Sequence, residues 1–396
     1  MVDVLHAVFI RRQAVLLKHH PLRGHLQAPY AALARALVQR GVFRQVADRG
    51  VAAASALVAH PLVGHVHLTG SLATCRAVER AARAARPAKR GGACAVTSEL
   101  GGASPWLVLP APGGGGGWSA AEIQNAAKHV AVAKKANGGS NCLNAQVVVL
   151  PAGWAQREEF VEALCAQLAA QPTAPMYYPG ARAARGRALA HYRALGEGRV
   201  RVCPGPPLQR RGTGTVAAAE DEAAVVFCGE VGAPGFDGMA AANELFCNAV
   251  RAYLLRTAVP WVNEAVFGSL CCSLLAGAAV PNAAIEEVVL ALRYGTVSVN
   301  AWSVFGYNAM ARGAVWGAHE ADAAGAGESG RGLLGNVYGL PNPVKTVVRG
   351  PPLTKGPMID GRPPPSVVID ALHVASGASG VLAGTYAVTK LLVVRF

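Results

Sequence analysis

Acidic residues are scarce in this chain. Its 396 residues hold 23 Asp and Glu against 37 Lys and Arg, a formal net charge of +14, and charged residues of all kinds reach only 15%. With 52% hydrophobic residues beside that low charge, a disordered chain is excluded, because such chains lack the apolar residues to bury. The positive excess raises the question of a nucleic-acid partner. The arginines, however, are scattered, and Arg76, Arg80 and Arg83 fall at the spacing of a solvated helix face. No aromatic-interleaved basic strand accompanies them, so no specific nucleic-acid partner is expected. The nine cysteines include no C-x-x-C pair, which argues against a structural zinc site. Their odd number and irregular spacing point to reduced thiols in an intracellular compartment, cytoplasmic or organellar. His65 and His67 would share one strand face, but no third ligand is spaced near them, and no metal is expected. No uninterrupted apolar run reaches about 18 residues, so no membrane span is expected. The apolar run Val381–Phe396 is too short and is broken by Lys390 and Arg395. The opening residues lack the basic-then-apolar pattern of a secretory signal. No G-x-G-x-x-G follows the first strand, and Gly113–Gly117 lacks the Gly-Lys-Ser/Thr ending of a phosphate loop, so it reads as an insertion.

What is present is alternation. Ala14–Leu17, Val42–Val46, Gly64–Leu68, Ala93–Thr97 and Trp106–Leu109 read as strands, and His25–Gln39, Val51–Ala59 and Leu72–Ala85 as helices. Alternation of this kind predicts parallel βαβ units in a doubly wound α/β sheet, whose ligands bind at the carboxyl ends of the strands. A second α/β unit follows, with helices over Ala120–Ala136, Trp154–Ala170 and Ile285–Leu292 and strands over Gln146–Leu150, Ala224–Cys228 and Tyr294–Val299. Arg182–Gly214, rich in Arg, Gly and Pro, reads as a variable surface region, and Gly325–Gly335 and Pro351–Pro365 read as loops. Val344–Arg349 and Leu391–Val394 read as strands of an interdomain or oligomerisation sheet. The length suits two or three domains. We expect a cofactor-binding domain over 1–110, a catalytic domain over 111–330, and a C-terminal segment over 331–396.

Chemistry gathers in two stretches. Asn137–Pro151 reads NGGSNCLNAQVVVLP and sets Cys142 between a glycine turn and a strand. Ser98–Trp106 reads SELGGASPW and offers Glu99 beside a glycine pair. A thiol that attacks a carbonyl and a carboxylate that deprotonates a water are the parts of covalent catalysis followed by hydrolysis. Taken alone, Cys142 reads more simply as a small buried hydrophobe.

Together the two stretches resemble the glutamate and cysteine motifs of the aldehyde dehydrogenase superfamily. Three further stretches match in order: Leu16–Pro21 (LLKHHP), His67–Val78 (HLTGSLATCRAV) and Tyr294–Trp302 (YGTVSVNAW), so the resemblance runs from about Ala14 to Val348. It implies a Rossmann-type parallel-sheet cofactor domain, a second α/β catalytic domain, and NAD or NADP as cofactor. It further implies oxidation of an aldehyde to a carboxylic acid through a Cys142 thiohemiacetal and thioester. Glu99 would activate the hydrolytic water. Backbone amides around Cys142 are expected to lower its pKa. Lys18 would bond the adenosine ribose and Gly70 with Ser71 the pyrophosphate, at a helix N-terminus suited to phosphate. Glu244 would hold the nicotinamide ribose and Phe246 would pack beside the ring. Asn300 would mark the substrate side. A homo-oligomer is implied as well.

The chain departs from the family pattern in places. Pro21 stands where many members carry a ribose-binding glutamate, which leaves NAD against NADP open. Cys247 and Asn248 replace the Gly-Pro that follows Glu-x-Phe. The family's oxyanion-donating asparagine lies upstream of the cofactor lysine, and Met1–Leu17 contains none. From this we expect an N-terminal truncation and weak activity of the chain as given. The alternatives are a catalytically silent homologue and a thiol redox sensor using Cys142.

Overall fold

The computed structural model describes residues 1–85, 94–111, 117–171, 173–196, 198–206, 209–210, 214–215, 223–232, 244–319 and 328–358. The strand expected at Leu391–Val394 and most of the glycine run Gly113–Gly117 lie outside them. The chain divides into two compact units: Met1–Val66 with Ala77–Val96 and Arg362–Phe396, and His67–Arg76 with Thr97–Gly361.

In the first unit Val15–Lys18 pairs in parallel with Phe43–Val46, Val15 opposite Phe43. Two small apolar clusters support it, one around Val4, Ala34 and Phe43 and one around Val58, Ala82 and Cys94. The single helix expected over His25–Gln39 is instead a 3-10 turn, Pro21–Leu26, followed by short helices Gln27–Leu33 and Arg35–Gln39. The break falls at Ala34, whose φ of -100° and ψ of 23° leave the helical region.

The second unit is built on an eight-stranded sheet. Its order is Thr346–Arg349, Thr296–Val299, Cys271–Ala276, Trp106–Leu109, Val147–Pro151, Ala249–Leu255, Ala224–Glu230, Val200–Cys203. All neighbours are parallel except the last pair. Strands covered on both faces read as continuous apolar runs, and Val147–Leu150 is such a run, buried throughout. Successive side chains feed opposite faces. Leu107, Val147, Val149, Phe227 and Leu274 join one core; Trp106, Val108, Val148, Leu150 and Val226 join the other. The second core is closed by the helices Ala120–Lys135 and Arg157–Ala170, through Ile123, Val130, Phe160 and Leu164. The first is closed by Ala181–Ala194, Ala258–Glu264 and Asn282–Ala291, through Tyr192, Val262 and Ile285.

Several expectations are corrected here. Arg182–Gly214, expected as a variable surface region, carries most of the helix Ala181–Ala194 and the edge strand Val200–Cys203. Its arginines hid the apolar face: Arg185 is buried and donates to the Ala223 carbonyl at 2.9 Å. Thr346–Arg349 belongs to the main sheet, paired with Thr296–Val299, rather than to a separate interdomain sheet. Trp106–Leu109, counted with the first 110 residues, is a central strand of the second unit.

Candidate functional site

The cysteine loop is delivered by the helix Ala120–Lys135. Ser119 starts that helix with a capping box, its hydroxyl accepting from Glu122 N–H while the Glu122 carboxylate accepts from Ser119 N–H. The helix ends because Asn137, Gly138 and Gly139 all turn left-handed, with φ of 57°, 61° and 73°. Gly139 is required there for a second reason: a Cβ would stand 2.5 Å from the Cys247 carbonyl oxygen. Beyond the turn, Asn141 Oδ1 accepts from Leu143 N–H at 2.9 Å, and Asn141 Nδ2 donates to the Ala136 carbonyl at 3.2 Å.

Glu99 ends the strand Ala95–Glu99. Its carbonyl accepts from Gly70 N–H at 3.1 Å, and its backbone pairs antiparallel with Gly330. The Cys142 thiol donates to Glu99 Oε1 at 3.6 Å. The glycine pair beside Glu99 is explained by Glu244. Its Oε1 accepts from Gly102 N–H at 2.8 Å, and a Cβ on Gly101 would overlap the same carboxylate. Gln146 ties these pieces together, donating to the Gly102 carbonyl at 2.8 Å and accepting from Leu245 N–H.

The electrostatics overturn one expectation. Burial, then the Glu99 charge, push the Cys142 thiol well above its ordinary value rather than lowering it. Glu244 is pushed up to about 7 by burial, against the opposing Gly102 N–H bond. Cys271 is likewise raised to about 11 by burial. At rest Cys142 is thus a thiol hydrogen-bonded to a carboxylate.

Cys142, Glu99, Gly70 and Glu244 are therefore brought together in the second unit. Ser71 lies there too, its hydroxyl accepting from Thr74 N–H at 3.2 Å at the start of the helix Leu72–Ala84. Phe246 packs edge-on against Tyr178, ring centroids 6.2 Å apart. Lys18 lies in the first unit, where its ammonium pairs with Asp48 at 2.5 Å. His67, weighed as a metal ligand, pairs through Nδ1 with Thr97 Oγ1 at 3.0 Å. Asn300 follows the strand Thr296–Val299. Its amide is spent on Ala276, accepting from its N–H at 2.8 Å and donating to its carbonyl at 3.0 Å, at the carboxyl end of the sheet. In the main sheet, Cys142, Ser104 and Cys271 lie instead at the amino ends of the strands they lead into or begin. The carboxyl-end rule holds for Glu99, the last residue of the strand Ala95–Glu99, and for Gly70, which follows the strand His65–Thr69, both strands of a separate three-stranded sheet.

Ser104, Gln146, Cys271 and Trp302 were missed in the sequence. Ser104 and Trp302 stood inside stretches already singled out, but nothing in their spacing marked them.

Fold and site describe an α/β protein that pairs a cysteine with a glutamate drawn from a separate loop. Residues 14–177 match the aldehyde dehydrogenase family model. Comparison with curated proteins finds no match. Among solved structures, a Mycobacterium tuberculosis aldehyde dehydrogenase complexed with NAD+ aligns with a TM-score of 0.57 at 21% identity, covering 82% of this chain and 61% of that one. The P. syringae indole-3-acetaldehyde dehydrogenase AldA, in complex with NAD+ and IAA, gives 0.59 at 19% identity, covering 82% and 60%. The NADP-dependent glyceraldehyde-3-phosphate dehydrogenase of Bacillus halodurans C-125, complexed with NADP, gives 0.54 at 16% identity, covering 77% and 56%. The fold is that of the aldehyde dehydrogenases, and the chain spans about three fifths of the length of these structures.

Proposed function

We propose that this chain oxidises an aldehyde to a carboxylic acid with NAD(P)+ through a covalent intermediate on Cys142. One observation carries the reading: Cys142 Sγ lies 3.6 Å from Glu99 Oε1, although 43 residues separate them. Because the resting thiol is held protonated, Glu99 accepts its proton as sulfur adds to the carbonyl carbon. The Cys142 N–H, which faces its own sulfur, is placed to donate to the oxygen that gains charge. Once that proton has passed to solvent, the Glu99 carboxylate takes a proton from the water that hydrolyses the thioester, and the thiolate leaves to regenerate Cys142.

The residues suit a dinucleotide. The Thr69-Gly70-Ser71 turn opens a 13-residue helix whose N-terminus favours a pyrophosphate, and Gly70 is bonded directly to Glu99. When bound, NAD(P)+ supplies the hydride acceptor. Lys18, Gly70, Ser71, Glu244 and Phe246 are our assigned cofactor residues. We keep Asn300 as a pin between strand ends rather than a substrate contact. The domain roles, cofactor over 1–110 and chemistry over 111–330, are part of the same reading. So is homo-oligomerisation, which light scattering on the purified chain tests.

The test uses propanal with NAD+ or NADP+. Cys142→Ser should lower turnover by roughly a thousandfold or more. Glu99→Gln should slow the first-turnover burst of reduced cofactor as well as sustained turnover, because both proton transfers use Glu99. A Cys142→Ser protein that turns over propanal like the parent would overturn the assignment.

A further inference from the structure

Two consecutive carbonyls of the cysteine loop are gripped from outside it. Ser104 Oγ donates to the Cys142 carbonyl at 2.5 Å, and Trp302 Nε1 donates to the Leu143 carbonyl at 2.7 Å. The donors come from different stretches, SELGGASPW and YGTVSVNAW. Ser104 is 3% exposed and sits at a φ of 45°, a left-handed conformation uncommon for a residue with a Cβ. Such a conformation persists only where its surroundings over-determine it. Its hydroxyl is itself oriented, because the Cys271 thiol donates to Ser104 Oγ at 3.2 Å. That leaves the hydroxyl proton for the Cys142 carbonyl. Behind Cys271, Ser303 bonds the thiol and shares contacts with Ser273 at 3.2 Å and Ser298 at 3.0 Å. The outcome is a buried chain of hydroxyls and one thiol, running from the turn after Asn300 to the nucleophile's own backbone. It ends on a carbonyl, which has no proton to pass on, so it sets position and conducts nothing.

We infer that Ser104 and Trp302 are positioning residues that clamp the Cys142 and Leu143 peptides and thereby aim the Cys142 thiol at Glu99, with Cys271 fixing the Ser104 hydroxyl. Holding both carbonyls fixes the planar peptides on either side of Leu143, and with them the direction of the Cys142 Cα–Cβ bond. The loop's own bonds do not do this, since Leu143 N–H and Asn144 N–H turn inward to Asn141. Misplacing a reacting group by about 1 Å can cost about a hundredfold in rate. The inference rests on Cys142 being the nucleophile.

The test is alkylation of Cys142 by iodoacetamide across pH, read by peptide mass spectrometry on the full chain. The Glu99 charge and burial keep the thiol protonated, so a loosened clamp lets the sulfur move away from that carboxylate. Ser104→Ala and Trp302→Phe should alkylate Cys142 about three- to tenfold faster at pH 7, equivalent to half to one pKa unit. Their kcat on propanal should fall about tenfold while KM changes little. Cys271→Ala should shift the profile the same way, and Cys271→Ser, which keeps a donor, should follow the parent. Cys272, 0% exposed, stays unmodified while the fold is intact. Parent-like alkylation profiles in Ser104→Ala and Trp302→Phe, with Cys272 protected, would overturn the clamp. Should Ser104→Ala expose Cys272, Trp302→Phe decides by the same criterion. Shifted alkylation in a chain that oxidises no aldehyde would keep the clamp and remove the proposed function.

Discussion

Lys134 is the least comfortable residue in the molecule. It is fully buried on the helix that delivers the cysteine loop, and its ammonium has no hydrogen-bond partner. Burial, joined by repulsion from Arg251, lowers it to about 7 against a partial attraction to Cys247. The sign of the consequence is fixed. An unfolded lysine holds its proton up to about 10.4, while the folded one sheds it near 7. Between those values the unfolded chain binds more protons, so this residue makes stability rise with pH. Lys134→Met should remove that dependence and stabilise the protein at pH 7 by on the order of a few kcal/mol. Urea melts of parent and variant at pH 7 and pH 9 check it, because their difference cancels the other titrating groups. A constant difference between the two pH values would show that Lys134 is not held neutral by burial. Asn141, by contrast, is content: its amide oxygen accepts from Leu143 N–H and its nitrogen donates to the Ala136 carbonyl.

At the scale of elements, the helix Ala120–Lys135 carries the most consequence, because its last turn sets where Cys142 begins. Glu122 anchors its start three times over. One carboxylate oxygen accepts from Ser119 N–H at 2.8 Å and from the Ser119 hydroxyl at 2.7 Å. The other accepts from Ala278 N–H at 2.6 Å, just past the strand Cys271–Ala276. Ser119→Ala should therefore cost about 1 kcal/mol, as a lost cap. Glu122→Ala should cost more, about 1–3 kcal/mol, because it also strands the Ala278 N–H. Chemical denaturation of the two variants ranks them, and the reverse ranking would mean that the Ala278 contact contributes nothing.

At the scale of the whole molecule, apolar burial is uneven. The second unit encloses two cores on the faces of one sheet, with Val147, Val148, Phe227 and Tyr253 at 0 or 1% exposure and Leu150 at 1%. Among the described residues, the first unit has clusters of three buried residues each, and Leu16 and Leu33 remain 46% and 53% exposed. Local stability follows buried apolar contact. Amides of Val15–Lys18 and Phe43–Val46 should exchange with solvent at least about tenfold faster than those of Val147–Leu150. Hydrogen exchange with mass spectrometry measures this, and equal protection would contradict it.

By itself the sequence determined the elements whose pattern is local. The run VVVLP demands burial on both faces, Ser119 with Glu122 starts a helix, and the Asn-Gly-Gly after Lys135 ends it. It also placed Cys142 and Glu99 in their loops, and the order of their motifs carried the family resemblance. What it left undecided depends on residues far apart in the chain. The strands Ala249–Leu255 and Cys271–Ala276 stayed unread, and the helix Ala181–Ala194 was hidden by its arginines, of which Arg185 is buried and donates to a distant carbonyl, that of Ala223. The protonation of Cys142 was read in the wrong direction, because its environment is set by Glu99 and by depth rather than by the adjacent amides. Asn300 looked like a substrate contact, but strand register spends its amide on Ala276. Periodicity and turn chemistry act over a few residues and can be read from the chain. Desolvation, register and the partners of a hydroxyl such as Ser104 exist only once the packed strands bring distant residues together.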